Sequence, residues 1–250
     1  MSEIAANLEE VYRRLTAAAQ RVGRQPESVT LVAVTKSHPL EVIIEAYQAG
    51  LRHFGENRVD EWQTKIPAFT AWLHDHGQRD RVRWHYIGHI QSRQVGPVLG
   101  LNPSLLHSVD SVALAQRLDR LAQRDHLPPV EILLQCNVSG EESKSGFNLQ
   151  RWQTDAPQVQ RFSAAVKQIA ALEKVKIAGL MTMAPYSDEP DDSRPVFRSL
   201  AGLRTRLETE IPQVKWQHLS MGMTNDFEIG IEEVATLVRV GRALFGEREY

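Results

Sequence analysis

The chain has 250 residues, 42% of them hydrophobic by type and 24% charged, with a formal net charge of −2. That length accommodates one α/β barrel or two small domains. The interspersed charges offer no basic face for nucleic acid and no polybasic membrane segment, and no apolar stretch approaches the roughly 18 residues of a membrane span.

The start, Met1-Ser-Glu-Ile-Ala, is acidic rather than signal-like, so a cytoplasmic protein is expected. Cys136 is the single cysteine, which excludes an intramolecular disulfide, and it reads as a small core residue. Ile4, Leu8, Val11, Leu15 and Val22 recur at helical spacing and stop at Gly23. From there strands and helices alternate. A strand over 30–36 precedes a helix over 39–49; a short strand over 52–55 precedes a helix from Asn57 to about Ile66. Next come strand 83–87, helix 92–99, strand 105–108, helix 111–126 and strand 130–137. The last third reads as helix 161–173, strand 176–181, helix 195–211, strand 215–219, helix 226–233 and strand 236–240. Segments 74–80 and 186–193 are charged and turn-forming, and read as flexible loops.

Eight strands alternating with helices at this short period predict a parallel sheet closed into a single (β/α)8 barrel of the TIM type, one domain over 1–250 with an extra N-terminal helix. An open doubly wound sheet is the main rival, but the first turn after a strand lacks Gly-x-Gly-x-x-Gly.

In such a barrel the chemistry collects at the carboxyl ends of the strands. Those ends hold Lys36, Gly55-Glu-Asn57, His85-Tyr-Ile-Gly88, Ser108, Asn137, Met181-Thr-Met183, Ser220-Met-Gly-Met223 and Arg239-Val-Gly241. A lysine ending a buried strand can be desolvated and left nucleophilic enough to form an imine, although solvated lysines also end strands. The two glycine turns follow the last two strands, where barrels often hold a phosphate; alone, each is equally a tight turn. Arg239, flanked by valines in a buried strand, needs either a salt-bridge partner or an anion. Asn57 serves either the site or the N-cap of the following helix. His74 and His76, and His85 and His89, lack a recognisable metal-ligand pattern, so no metal is expected. The small and charged residues of 139–146, including Ser143 and Lys144, fit a mobile gate. A lysine for an aldehyde and two turns for a phosphate together point to pyridoxal phosphate.

The motifs Ala33-Val-Thr-Lys36, His53-Phe-Gly-Glu-Asn57, Trp84-His-Tyr-Ile-Gly88 with Gln91, Ser143-Lys-Ser-Gly146, Gly179-Leu-Met-x-Met183, Leu219-Ser-Met-Gly-Met223 and Val238-Arg-Val-Gly241 through Leu244-Phe-Gly246 stand in one order along almost the whole chain. In that order they closely resemble the pyridoxal phosphate homeostasis protein family. The resemblance implies an alanine-racemase-like barrel without the racemases' additional β-domain, and an aldimine between Lys36 and pyridoxal 5′-phosphate. It also implies that Ser220, Gly222 and Met223 hold the phosphate, that Arg239 faces the pyridine nitrogen, and that Gly241 lies in a second phosphate turn. Asn57 and His85, from the second and third motifs, complete the expected cofactor-binding set together with Arg242. Arg242 stands where relatives commonly carry threonine, and its amide or guanidinium takes over that contact.

What the resemblance implies is a carrier in vitamin B6 and amino-acid balance. It would be a monomer that buffers the cofactor or delivers it to PLP-dependent apoenzymes, with little catalysis of its own. An arginine at the ring nitrogen favours the unprotonated ring, a weak electron sink. Two rivals remain: an amino-acid racemase of restricted scope, and a cofactor-free Schiff-base aldolase acting on a phosphorylated substrate.

Overall fold

The computed structural model describes residues 2–141 and 145–246. Its strands are β1 (Thr30–Val34), β2 (His53–Glu56), β3 (Arg83–Tyr86), β4 (Leu105–Val109), β5 (Val130–Asn137), β6 (Phe147–Asn148), β7 (Val175–Met181), β8 (His218–Ser220) and β9 (Leu237–Val240). All pair in parallel. β9 returns to β1, and β4 pairs with β5, so eight strands form a closed ring. The two-residue β6, not foreseen in the sequence, adds to the carboxyl end of β5 with Phe147 opposite Cys136. No additional β-domain exists among the described residues, and none of their helices is long and apolar enough to cross a membrane.

Side chains alternate across the barrel wall with the period of two that strands impose. Leu31, Ala33, Phe54 and Trp84 face outward into the core between sheet and helices. Val32, Leu105, Leu133, Ala178, Met181 and Leu237 form a separate cluster inside the ring. On β1 the inward set continues upward from Val32 through Val34 to Lys36, which delivers that amine to the barrel mouth. Gly179 relieves the ring where β7 and β5 shift register: its φ is +153°, and a Cβ there would lie 1.9 Å from the His218 carbonyl oxygen.

The N-terminal helix α1 (Glu3–Arg21) is capped by Ser2, whose hydroxyl accepts from the Ala5 amide at 3.3 Å. It buries Ile4, Leu8, Val11 and Leu15. The wall helices follow as α2 (Leu40–Gln48), α3 (Val59–Asp75), α4 (Val95–Leu99), α5 (Val112–Arg124), α6 (Ala156–Ala170), α7 (Arg194–Glu210) and α8 (Phe227–Glu232), with the single turn α9 (Arg242–Phe245) last. Three bounds differ materially from expectation. α3 continues through Pro67 to Asp75, so the segment 74–80 is a loop only in its later part. α6 begins five residues earlier than expected, because Asp155 caps it by accepting from the Gln158 amide at 3.1 Å. The stretch 92–99 opens as a 3-10 turn over Ser92–Gln94 before α4.

Candidate functional site

A cavity of about 520 Å³ opens at the carboxyl ends of the strands. Lys36, Asn57, Arg239, Gly241 and Arg242 line it, with Val34, Ile87, Met183 and Ala184 as apolar walls. The segment expected to be a flexible loop near Tyr186 forms the rim. Tyr186 donates to Asp188 at 3.1 Å and Ser187 donates to Asp192 at 2.6 Å within it, and Arg194 at the start of α7 donates to Asp191 at 2.7 Å.

Lys36 is held through its neighbours. Thr35 donates its hydroxyl to Glu56 at 2.6 Å, and the Ser37 amide donates to Glu61 at 2.7 Å. Lys65 on α3 donates to the Thr35 carbonyl at 2.8 Å, to Glu56 at 2.9 Å and to Glu61. Ser37 sits in the left-handed region at φ 65°. Both peptides flanking Lys36 are therefore tied to one buried charge cluster. Burial pushes the Glu56 carboxyl above its ordinary range, against the pull of Lys65.

Asn57 does not cap α3. The N-cap residue is Arg58, which makes no side-chain cap bond, and Asn57 Oδ1 is buried without a hydrogen-bond partner among the described residues. An acceptor left unpaired at a cavity wall is a place for a ligand donor.

Arg239 lies in the floor with 5% exposure. Its guanidinium donates to Ser220 Oγ and, at 3.0 Å, to the Thr182 carbonyl. Among the described residues it forms no salt bridge, so the structural ion pair weighed from sequence is not what holds it. Burial lowers its pKa to about 10, with Asp226 acting in the opposite direction. It remains a cation at neutral pH, carried by two neutral acceptors beneath an open cavity.

Several expected contacts are placed differently. His85 and Ser220 do not line the cavity. They lie below it, 3% and 0% exposed, in a column of side chains through the barrel core. His53 Nδ1 is 3.0 Å from His85 Nε2, His85 Nδ1 is 2.9 Å from His107 Nε2, and His107 Nδ1 is 2.9 Å from Ser220 Oγ. Burial depresses these imidazoles, His53 to about 4 and His85 to about 3, which keeps them neutral.

Gly222 is also outside the lining; its φ is +96°, and a Cβ would meet the Phe227 Cα at 2.8 Å. It shapes the turn. Met223 does line the cavity, but its amide donates to Asp226 Oδ1 at 2.6 Å and is thus committed. The next two residues, Thr224 and Asn225, are at the wall instead, and Arg242 donates to Asn225 Oδ1 at 3.3 Å, joining the two turns across the mouth. Ser143 and Lys144 of the expected gate lie outside the described residues. Among the described residues no three His, Cys, Asp or Glu side chains group as metal ligands.

The alanine racemase N-terminal domain profile matches residues 6–249. The pyridoxal phosphate homeostasis protein of Aquifex aeolicus (strain VF5) is 38% identical over 97% of both chains. That of Escherichia coli (strain K12) is 37% identical over 100% of this chain and 99% of its own. The chain belongs to the pyridoxal phosphate homeostasis protein family. PipY of Synechococcus elongatus PCC7942, solved with PLP bound, superposes with a TM-score of 0.76 at 33% identity, over 97% of this chain and 100% of PipY. Alanine racemase of Clostridium difficile 630 has a TM-score of 0.62 at 12% identity, and the matched region is 57% of that chain. The racemase shares the barrel alone.

Four parts of the candidate site and its supports were missed in the sequence. Glu61 and Lys65 carried a signal, the i, i+4 acid–base spacing that places both on one helix face. His107 carried a weaker one, a polar residue two positions after Leu105 in a buried strand. For the Thr224–Asn225 wall there was none, because the commitment of the Met223 amide depends on how Asp226 folds back.

Proposed function

We propose that this chain carries pyridoxal 5′-phosphate in the cavity at the barrel mouth and serves intracellular cofactor homeostasis. The observation that carries the reading is the sharing of one cavity by Lys36, at the end of β1, and a buried arginine cation that forms no salt bridge among the described residues. Bound there, the cofactor supplies an aldehyde that an amine can capture, an aromatic ring and a phosphate. Lys36 is the amine. Arg239 is the donor for the ring nitrogen, the apolar walls take the ring faces, and Asn57 offers its unpaired oxygen to a polar ring substituent. The turns at Thr224–Asn225 and Gly241–Arg242 receive the phosphate, with Arg242 adding charge at the mouth.

Catalysis is weak in this reading. A cationic donor at the ring nitrogen disfavours its protonation and with it the electron-sink chemistry of racemases. Release to PLP-dependent apoenzymes, a monomeric state and a cytoplasmic setting belong to the same proposal.

Borohydride treatment of the PLP-loaded protein, followed by peptide mass mapping, tests the site. The adduct is expected on Lys36. A dominant adduct on Lys144, with Lys36 unmodified, overturns the assignment. Cofactor-dependent loss of optical purity from an amino acid that disappears in Lys36→Ala would restore the racemase, and turnover of a phosphosugar without cofactor would restore the aldolase.

A further inference from the structure

The column beneath the cavity has only one proton order that satisfies every member. A guanidinium has donors and no acceptor, so Ser220 Oγ accepts from Arg239. The hydroxyl still has one proton to place. Ser220 is fully buried, and its other side-chain neighbour is His107 Nδ1 at 2.9 Å, so the hydroxyl donates there. A bare Nδ1 puts the ring proton of His107 on Nε2, which donates to His85 Nδ1 at 2.9 Å. By the same step His85 Nε2–H donates to His53 Nδ1 at 3.0 Å, and His53 keeps its own proton on Nε2 at the amino end of β2. Reversing every proton leaves the Ser220 hydroxyl without an acceptor in a site of zero exposure. The charged and titratable groups around the column are Arg239, Arg83 and His218, and the two arginines disfavour an added proton on any ring.

We propose that His107, which does not line the cavity, is a positioning residue for the cofactor ring: through Ser220 it fixes the direction of the Arg239 donor, as the central member of a one-way chain His53–His85–His107–Ser220–Arg239. While His107 takes the hydroxyl proton, that proton is turned away from Arg239 and a lone pair of the serine oxygen faces the guanidinium. With the neutral Thr182 carbonyl as the second acceptor, the arginine is held in place and its charge is left for the cavity. The effect on bound cofactor rests on the reading of the cavity as a PLP site; the proton order does not.

The test therefore has an unloaded and a loaded arm. In 15N-labelled protein without cofactor, long-range proton–nitrogen correlation is expected to show His85 and His107 as neutral Nε2–H tautomers from pH 5.5 to 8. An Nδ1–H tautomer at His107 overturns the chain. In PLP-titrated protein, His107→Leu is expected to weaken binding about tenfold, the worth of one hydrogen bond to a charged group, and to shift the visible absorbance of the bound cofactor. His107→Gln, which keeps an acceptor and a donor, should recover most of both. In an Arg239→Leu background the His107→Leu effect should vanish. An equal effect in both backgrounds shows that His107 does not act through Arg239 and sinks the proposal. If His107→Leu does not fold, Ser220→Ala carries the same comparison. If wild-type protein takes up no PLP, the functional reading fails, and the tautomers still decide the proton order.

Discussion

Lys36 owes its position to residues that never touch the cavity. Among the described residues Lys65 is the one cation that touches both the Glu56 and Glu61 carboxylates, which fasten Thr35 and Ser37; Arg58 reaches Glu61 alone, at 3.3 Å, and Lys65, Glu56 and Glu61 are 10%, 0% and 17% exposed. Lys65→Met leaves two carboxylates facing each other with little water. A loss of about 3 kcal/mol in unfolding free energy at pH 7 is expected, the cost of breaking a buried pair from one side. The deficit should also depend on pH. The Glu56 carboxyl is already raised by burial, and without Lys65 it rises further. The folded variant then holds a proton that the unfolded chain releases above about pH 4.3, so the deficit should narrow as pH falls from 7 to 5. Denaturant titrations of both proteins at the two pH values measure this, and a deficit that widens on acidification would contradict it. Lys36, Asn57, Arg239 and Gly241, which line the cavity, were readable in the sequence because all stand at strand ends, where one geometric rule collects the chemistry, whereas Arg242 was readable only through the family resemblance. Lys65 and His107 were not, because their roles depend on helix phase and on register between strands far apart in the chain.

The alternation of strand and helix was readable for the same reason that the barrel forms, since each β-α unit carries its own apolar pattern. Element ends were less so, because caps and proline chemistry decide them. α3 is the clearest case. Pro67 lies on its exposed face, where its ring removes a backbone donor from the helix interior. The helix continues because its other face packs Trp62 and Phe69 against Trp84, with ring centroids 6.3 and 5.9 Å apart. Aromatic burial outweighs the local penalty. Pro67→Ala restores the donor without disturbing that face, and is expected to raise the unfolding free energy by about 1 kcal/mol, less than the full proline penalty because the surrounding helix has adapted to it. The denaturation midpoint should move upward. An unchanged or lower midpoint would mean that the proline's restriction of the unfolded chain matters as much as the missing bond.

The barrel as a whole stores an acid sensitivity in its core. A ring of eight strands needs an interior filled with side chains, and this chain fills it partly with an apolar cluster and partly with the histidine column. In the folded state His53 titrates at about 4, His85 at about 3 and His107 well below its ordinary value, all chiefly because burial penalises the charged ring. In the unfolded chain all three titrate near 6.5. Between those limits the unfolded chain binds more protons, so stability is full above about pH 6.5 and is lost as pH falls. Integrating three such groups from pH 6.5 to 5 gives a loss of about 4 kcal/mol, with the half-buried His53 contributing least. Most carboxylates titrate below this window, which makes the histidine contribution separable. Urea unfolding of the cofactor-free protein at pH 7.5, 6.5, 5.5 and 5.0 is expected to show a plateau followed by this decline, and His53→Gln should reduce the decline by up to about a third. A stability that stays level down to pH 5 would mean that the column accepts protons while folded, and the neutral, hydrogen-bonded core described here would not be the state of the protein in solution.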